Sequence, residues 1–128
     1  MTSTPHISLV FIAILALVQL PLTFLVIARR GAARVSLSDG GDETLLRRMR
    51  AHGNFTETVP ITLLAMLAAE WSGAPSWLLW AGGTSLLVGR LLHATSIIRQ
   101  GMGNGRAAGM VLTLLALASF AIAALLRV

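Results

Sequence analysis

Four apolar stretches separated by three polar ones organise the chain. Ile7 to Ala28 is interrupted only by isolated small or polar residues (Ser8, Gln19, Pro21 and Thr23 among them) and, as a helix, is long enough to cross a hydrocarbon core about 30 Å thick. A cleaved leader would need a basic start and a small-residue cleavage site. Neither flanks this run, so it reads as a permanent span, with Pro21 expected to kink it or open its ladder locally. The stretch Ser36-Leu37-Ser38-Asp39-Gly40-Gly41-Asp42 has loop composition, and Asp42 is placed to cap a following helix. That helix begins polar at Glu43 and turns apolar only after Phe55. Trp77 to Ile98 forms a third span, Gln100 to Gly105 a glycine-rich turn, and Ala107 to Leu126 a fourth. The expectation is an all-α, polytopic membrane protein: one domain, 1–128, built as a four-transmembrane-helix bundle with spans near 7–28, 47–70, 77–98 and 107–126.

Composition supports this reading. Of 128 residues, 55% are hydrophobic and 12% charged, with a mean hydropathy of +0.79. A soluble domain carries roughly 25% charged residues, and its surface cannot be covered with so few. The absence of cysteine excludes disulfides and thiol catalysis by the protein itself. The formal charge is +5, and every basic residue other than histidine is arginine. These arginines lie between apolar runs without interleaved aromatics, which argues against nucleic acid. They orient a membrane protein instead. Arg29, Arg30, Arg34, Arg47, Arg48 and Arg50 follow the first span, Arg99 and Arg106 follow the third, and none lies between the second and third. By the positive-inside rule the first and third loops face the cytoplasm and both termini face outward. Trp71, Trp77 and Trp80 then form an aromatic belt at the outer interface.

A plain bundle needs no charge within it, yet Asn54, Glu57, Arg90 and His93 fall at membrane depth, where such residues are costly and usually face the interior. At 1.5 Å per residue Glu57 lies ~10 Å inward from Arg50, and Arg90 lies ~12 Å inward from Ile98, from the same side. Equal height predicts that the two pair or share a polar ligand. Arg47, Arg50, Asn54, Glu57 and Ile61 share one helical face by spacing, as do Leu86, Arg90, His93 and Ile97. Arg29, Arg30 and Arg106 add charge at the same end. His52 falls opposite Arg50 and is expected to face another span or subunit. Spacing alone leaves Arg50, Asn54 and Glu57 open between ligand contact and an interhelical polar clamp. Several arginines with one embedded carboxylate suit a small anion that also carries an amine, at a site near the cytosolic face that opens to lipid. Three scattered histidines without cysteine predict no metal site. Gly101, Gly103 and Gly105 follow no strand and read as a turn rather than a phosphate loop. Gly105 and Gly109 form a small-xxx-small pair suited to close helix packing, with oligomer contact as one expected use.

The stretch Arg50-Ala51-His52-Gly53-Asn54-Phe55-Thr56-Glu57-Thr58-Val59-Pro60 resembles the second-helix motif of the MAPEG family, the membrane-associated proteins in eicosanoid and glutathione metabolism. Ile27-Ala28-Arg29-Arg30 with Arg34-Val35-Ser36 is similar to the end of that family's first span, and Arg90-Leu91-Leu92-His93 to its third-helix pattern. The resemblance covers nearly the whole chain and is greatest to the small bacterial branch. It implies a homotrimer in the bacterial inner membrane, with glutathione as co-substrate between neighbouring subunits. It carries glutathione contacts onto Arg50, Asn54 and Glu57, onto His52, onto Arg29 or Arg30, and onto the third-helix positions Arg90 and His93. It places the thiolate-stabilising, catalytic arginine at Arg106, with Arg99 as the alternative.

The chain departs from eicosanoid-forming members in having no tyrosine. Thr58 follows the motif glutamate, and His93 and Ile97 stand where those members have third-helix tyrosines. The expected function is that of a glutathione transferase or peroxidase-like membrane protein acting on a lipophilic small molecule. The alternative is a non-enzymatic trimeric module that binds an anionic lipid head group or a protein partner. A transporter is disfavoured because no matching pair of broken helices is present.

Overall fold

The computed structural model describes residues 4–101 and 103–128. Four helices account for nearly all of them: α1 (His6–Ala33), α2 (Glu43–Trp71), α3 (Ser76–Gln100) and α4 (Asn104–Leu125). Helix α1 runs unbroken through Pro21 and ends where Arg34 adopts a left-handed conformation (φ 55°). It therefore carries Arg29 and Arg30 in helix rather than loop. Helix α4 begins at Asn104, ahead of the expected span, which puts Gly105 and Arg106 in its first turn. Of the expected glycine-rich turn, Gly101 and Gly103 remain between helices, and Met102 lies outside the described residues.

Asp42 caps α2 as its sequence position predicts, its Oδ1 accepting from Leu45 N at 2.7 Å. Helix α1 has Pro5 at its N-cap, which offers no side-chain acceptor. Its first N–H groups are met from the far end of α2: the Glu70 carboxylate accepts from Ile7 N at 2.8 Å and from Ser8 N at 2.7 Å. A carboxylate at a helix N-terminus satisfies orphan donors and complements the helix dipole.

The core is one cluster drawn from all four helices. It includes Phe11 and Leu15 of α1, Phe55, Val59 and Met66 of α2, Leu79 and Leu86 of α3, and Phe120 of α4. Small residues on α3 allow close approach. Phe120 packs where a Cβ on Gly82 would sit, and Phe11 does the same at Gly83 while its ring meets Trp80 edge-on at 5.6 Å. The tightest crossing is between α3 and α4: a Cβ on Gly109 would lie 2.4 Å from the Gly89 carbonyl oxygen, and one on Gly105 would touch Ser96. The Gly105/Gly109 pair thus packs α4 onto α3 within the subunit, the close helix approach that its spacing predicts.

The outside of the bundle is apolar. Leu17, Leu20, Phe24 and Ile27 on α1, Ile61 and Leu64 on α2, and Leu114, Leu115 and Ile122 on α4 are each at least half exposed. A soluble monomer rarely leaves so continuous an apolar surface in water. By length and apolarity, α1 and α4 are each able to cross a membrane, while the intramembrane charge is concentrated on α2 and α3.

Candidate functional site

Helix α2 divides its residues between two faces. Phe55, Val59, Thr62, Met66 and Ala69 recur at steps of three and four and are buried. Leu46, Arg50, Glu57, Ile61 and Leu64 recur on the opposite face and are exposed. Arg50 and Asn54 therefore form a ridge outside the hydrophobic core, and a cleft lies on either side of it.

The larger cleft, about 510 Å³, is enclosed by α2, the end of α3 and the start of α4. Arg47, Arg50 and Arg106 line it together with Asn54, Gln100, Ile97 and Glu43, so three guanidinium groups face one carboxylate. That carboxylate is already held by Arg47, one turn along α2. The smaller cleft, about 340 Å³, lies between the same ridge and the α1–α2 loop. Ser38, Asp39, Met49 and Glu57 line it with Arg50 and Asn54, so two carboxylates face the shared arginine. The sign of the charge thus reverses across the ridge. Beyond Arg106 lies a third, mostly apolar groove of about 380 Å³, formed by His93, Gly103, Ala107 and Met110. Arg106 lines both this groove and the larger cleft.

The loop that carries Asp39 is tied down by Arg30. Its Nη1 donates to the carbonyl oxygens of Ser38 at 2.9 Å and Ser36 at 3.4 Å, and its Nη2 reaches Met49 Sδ at 3.4 Å. Arg29 turns instead to Asp42, with Nε and Nη2 donating to the two carboxylate oxygens at 3.1 and 2.6 Å. This fork joins the end of α1 to the capped start of α2. The Arg29 guanidinium, then the Leu45 N–H, hold the Asp42 carboxyl below the usual carboxylate range. His52 points to α1, where its Nε2 lies 3.1 Å from Thr23 Oγ1; as expected, it faces another span. Arg29, Arg30 and His52, carried over as ligand contacts, are thus all engaged in holding α1, its loop and α2 together.

The expected pairing of Glu57 with Arg90 is not formed. Arg90 is fully buried, with Nη1 donating to Thr113 Oγ1 at 3.3 Å, while Nε and Nη2 have no hydrogen-bond partner among the described residues. The Thr113 hydroxyl in turn donates to the Gly109 carbonyl at 2.8 Å. The two residues point in different directions: Glu57 lies on the outward face of α2, and Arg90 faces α4. Leu86, Arg90, His93 and Ile97 do share one buried face, as their spacing predicts. That face is turned to α4, however, and away from the clefts except at Ile97. His93 bonds through Nδ1 to the backbone oxygen of Arg106 at 2.8 Å.

Of the expected site residues, the structure brings Arg50, Asn54 and Arg106 into one cleft and sets Glu57 in the adjoining one. Arg99 lies in a separate hollow with Leu92 and Thr95, whereas Arg106 lines the larger cleft with Arg50. Asp39, Glu43 and Gln100 are lining residues missing from the set expected on sequence grounds. Arg47 was legible, since it shares the helical phase of Arg50.

The MAPEG family profile matches residues 8–126, which include all four helices almost entirely. The chain belongs to the MAPEG family. As a MAPEG protein it is a four-helix membrane bundle. It is similar to the inner membrane protein YecN of Escherichia coli strain K12, with 37% identity over 87 residues, or 68% of this chain and 66% of the relative. The YecN protein of Escherichia coli O6:H1 matches with the same identity and extent. The chain thus spans just under two thirds of the length of these relatives. No solved structure matches the chain.

Proposed function

We propose that this MAPEG protein binds glutathione across the Arg50–Asn54 ridge and transfers its thiolate to a lipophilic electrophile. The observation that carries this reading is the position of Arg106, shared by a basic polar cleft and an apolar groove. The tripeptide has two carboxylates and one amine. The arginine-lined cleft suits the carboxylates, the Asp39–Glu57 cleft suits the amine, and Asn54 supplies amide hydrogen bonding on the ridge between them. Arg106 places positive charge beside the thiol, favouring its ionised form. The thiol proton leaves to solvent in the cleft. The sulfur then attacks a carbon presented from the apolar groove; an S–C bond forms as a leaving group departs, or as an epoxide C–O bond opens and its oxygen takes a proton. The missing tyrosines leave charge stabilisation to arginine.

The protein sits in the bacterial inner membrane with four spans, both termini outward and the clefts toward the cytosol, in line with the arginine distribution. A homotrimer follows the family pattern. It would also cover the exposed α2 face, where Glu57 stands at membrane depth.

A second reading makes the three-arginine cleft a site for an anionic lipid head group. It leaves Asp39 and Glu57 without a role. Calorimetric titration of glutathione into the detergent-purified protein separates the two, with Arg50→Ala and Glu57→Gln alongside. Saturable binding weakened in both variants supports the transferase reading. No binding to folded wild type, with retention on phosphatidylglycerol vesicles, supports the head-group reading.

A further inference from the structure

We propose that His93 is a positioning residue for Arg106, holding the first turn of α4 so that the Arg106 guanidinium meets the sulfur of bound glutathione. This rests on the glutathione reading of the site and assigns His93 a role other than ligand contact. Its ring is buried and lines neither polar cleft, though it forms part of the wall of the apolar groove beside Arg106.

Three observations carry it. First, His93 Nδ1 lies 2.8 Å from the Arg106 carbonyl oxygen. A carbonyl only accepts, so Nδ1 bears the proton and donates. Second, α4 begins without a side-chain cap: Gly103 occupies the N-cap position. An uncapped first turn frays readily, and Arg106 lies within that turn. Third, the helices meet most closely beside this bond. A Cβ on Gly109 would fall 2.7 Å from the His93 backbone nitrogen and 2.8 Å from its Cβ. The bare backbone of Gly109 thus rests on His93, while the imidazole bonds to the carbonyl three residues earlier. Together they define where α4 starts against α3, and hence where the Arg106 side chain enters the cleft beside Arg50.

Position matters because electrostatic help to a thiolate depends on placement. A displacement of about 1 Å in a group supporting chemistry can cost roughly a hundredfold in rate. Binding of the tripeptide is spread over Arg47, Arg50 and Asn54 on α2 and is less sensitive to α4.

The test uses the full-length protein in detergent with two substitutions. Asparagine carries its amide nitrogen the same number of bonds from Cα as His Nδ1, so His93→Asn retains a donor. His93→Leu removes it and keeps the site apolar. Wild-type glutathione binding is measured first by calorimetry; its absence removes the reading of the site and this role with it. With binding established, the ionisation of bound glutathione is followed by thiolate ultraviolet absorbance against pH. Hydrogen exchange of the peptide covering 104–110 is followed alongside. His93→Leu is expected to raise the apparent thiol pKa by about one unit, about a tenfold loss of thiolate at a pH below both values. Its glutathione Kd should stay within about threefold of wild type, and exchange in the first turn of α4 should quicken. His93→Asn should restore both readouts. An unchanged thiolate titration in His93→Leu, unchanged exchange, or failure of His93→Asn to rescue would each overturn the proposal.

Discussion

Glu70 and Ser8 are joined by a 2.7 Å hydrogen bond from the Ser8 backbone N–H to a Glu70 carboxylate oxygen, with Ile7 N bound to the other oxygen at 2.8 Å. The last turn of α2 therefore caps the first turn of α1. A charged hydrogen bond of this kind contributes about 1.5–3 kcal/mol. Glu70→Ala should lower the thermal midpoint followed by circular dichroism in detergent. Glu70→Gln, which keeps one acceptor oxygen, should lose less. Equal midpoints for wild type and Glu70→Ala would show that α1 needs no cap from α2.

The Arg29–Asp42 fork predicts a particular acid response. The folded-state pKa of Asp42 is depressed, so its contribution to stability is present above the unfolded value, about 3.9. It is lost as pH falls through the lower folded value. Asp42→Asn retains a good N-cap but abolishes this titration. Between pH 7 and pH 3, wild type should lose more stability than Asp42→Asn. Parallel loss in both proteins would exclude the pair as a source of acid sensitivity.

The crossing at Gly89 and Gly109 tolerates no side chain. With a Gly109 Cβ only 2.4 Å from the Gly89 oxygen, Gly109→Ala must push α4 off α3. Overpacking of this kind costs about 1–3 kcal/mol. Gly31→Ala, where nothing lies within 4 Å, should be neutral or stabilising by about 0.4–1 kcal/mol. Denaturant unfolding of both variants checks the contrast.

Arg90 and Glu57 should behave independently. Neither contacts the other, and Arg90 has no carboxylate partner among the described residues. A double-mutant cycle of Arg90→Met with Glu57→Gln should be additive within about 0.5 kcal/mol. A coupling above roughly 1 kcal/mol would show that the assembled protein joins them. Arg90→Met alone is expected to be tolerated, because it removes buried donors that lack partners.

The two cleft arginines should separate kinetically once an electrophile is in hand. Arg106→Ala should lower kcat more than it raises KM for glutathione, whereas Arg50→Ala should mainly weaken binding. Loss of one charged hydrogen bond corresponds to roughly ten- to a hundredfold. The same pattern in both variants would contradict the division of roles.

Much of the fold was legible before any tertiary contact was considered. Apolar runs of span length separated by charged loops specify four helices. Asp42 ahead of a helical pattern specifies a cap, and the phase of Arg47, Arg50, Asn54 and Glu57 specifies a polar face. Part of the site was legible for the same reason, since residues three and four apart on one helix must share a side. The cap from Glu70 had no such signal, because its partners lie more than sixty positions away. Asp39 and Gln100 were hidden because loop and helix-end residues have no periodicity to mark their direction.

The absence of a direct Glu57–Arg90 pair within the chain shows where the boundary falls. Rise per residue determines how deep each group lies, and spacing determines which residues share a face of one helix. Neither determines how far each helix is rotated about its axis relative to its neighbours. That rotation follows from packing: the Gly89–Gly109 contact and the fit of Phe120 and Phe11 over Gly82 and Gly83 turn the Arg90–His93 face toward α4. Burial of the Phe55–Val59–Met66 row turns Glu57 outward. The amino-acid sequence by itself determined the helices and their polar faces. The tertiary structure decided which faces meet, because that depends on interlocking side-chain shapes across helices that linear spacing does not encode.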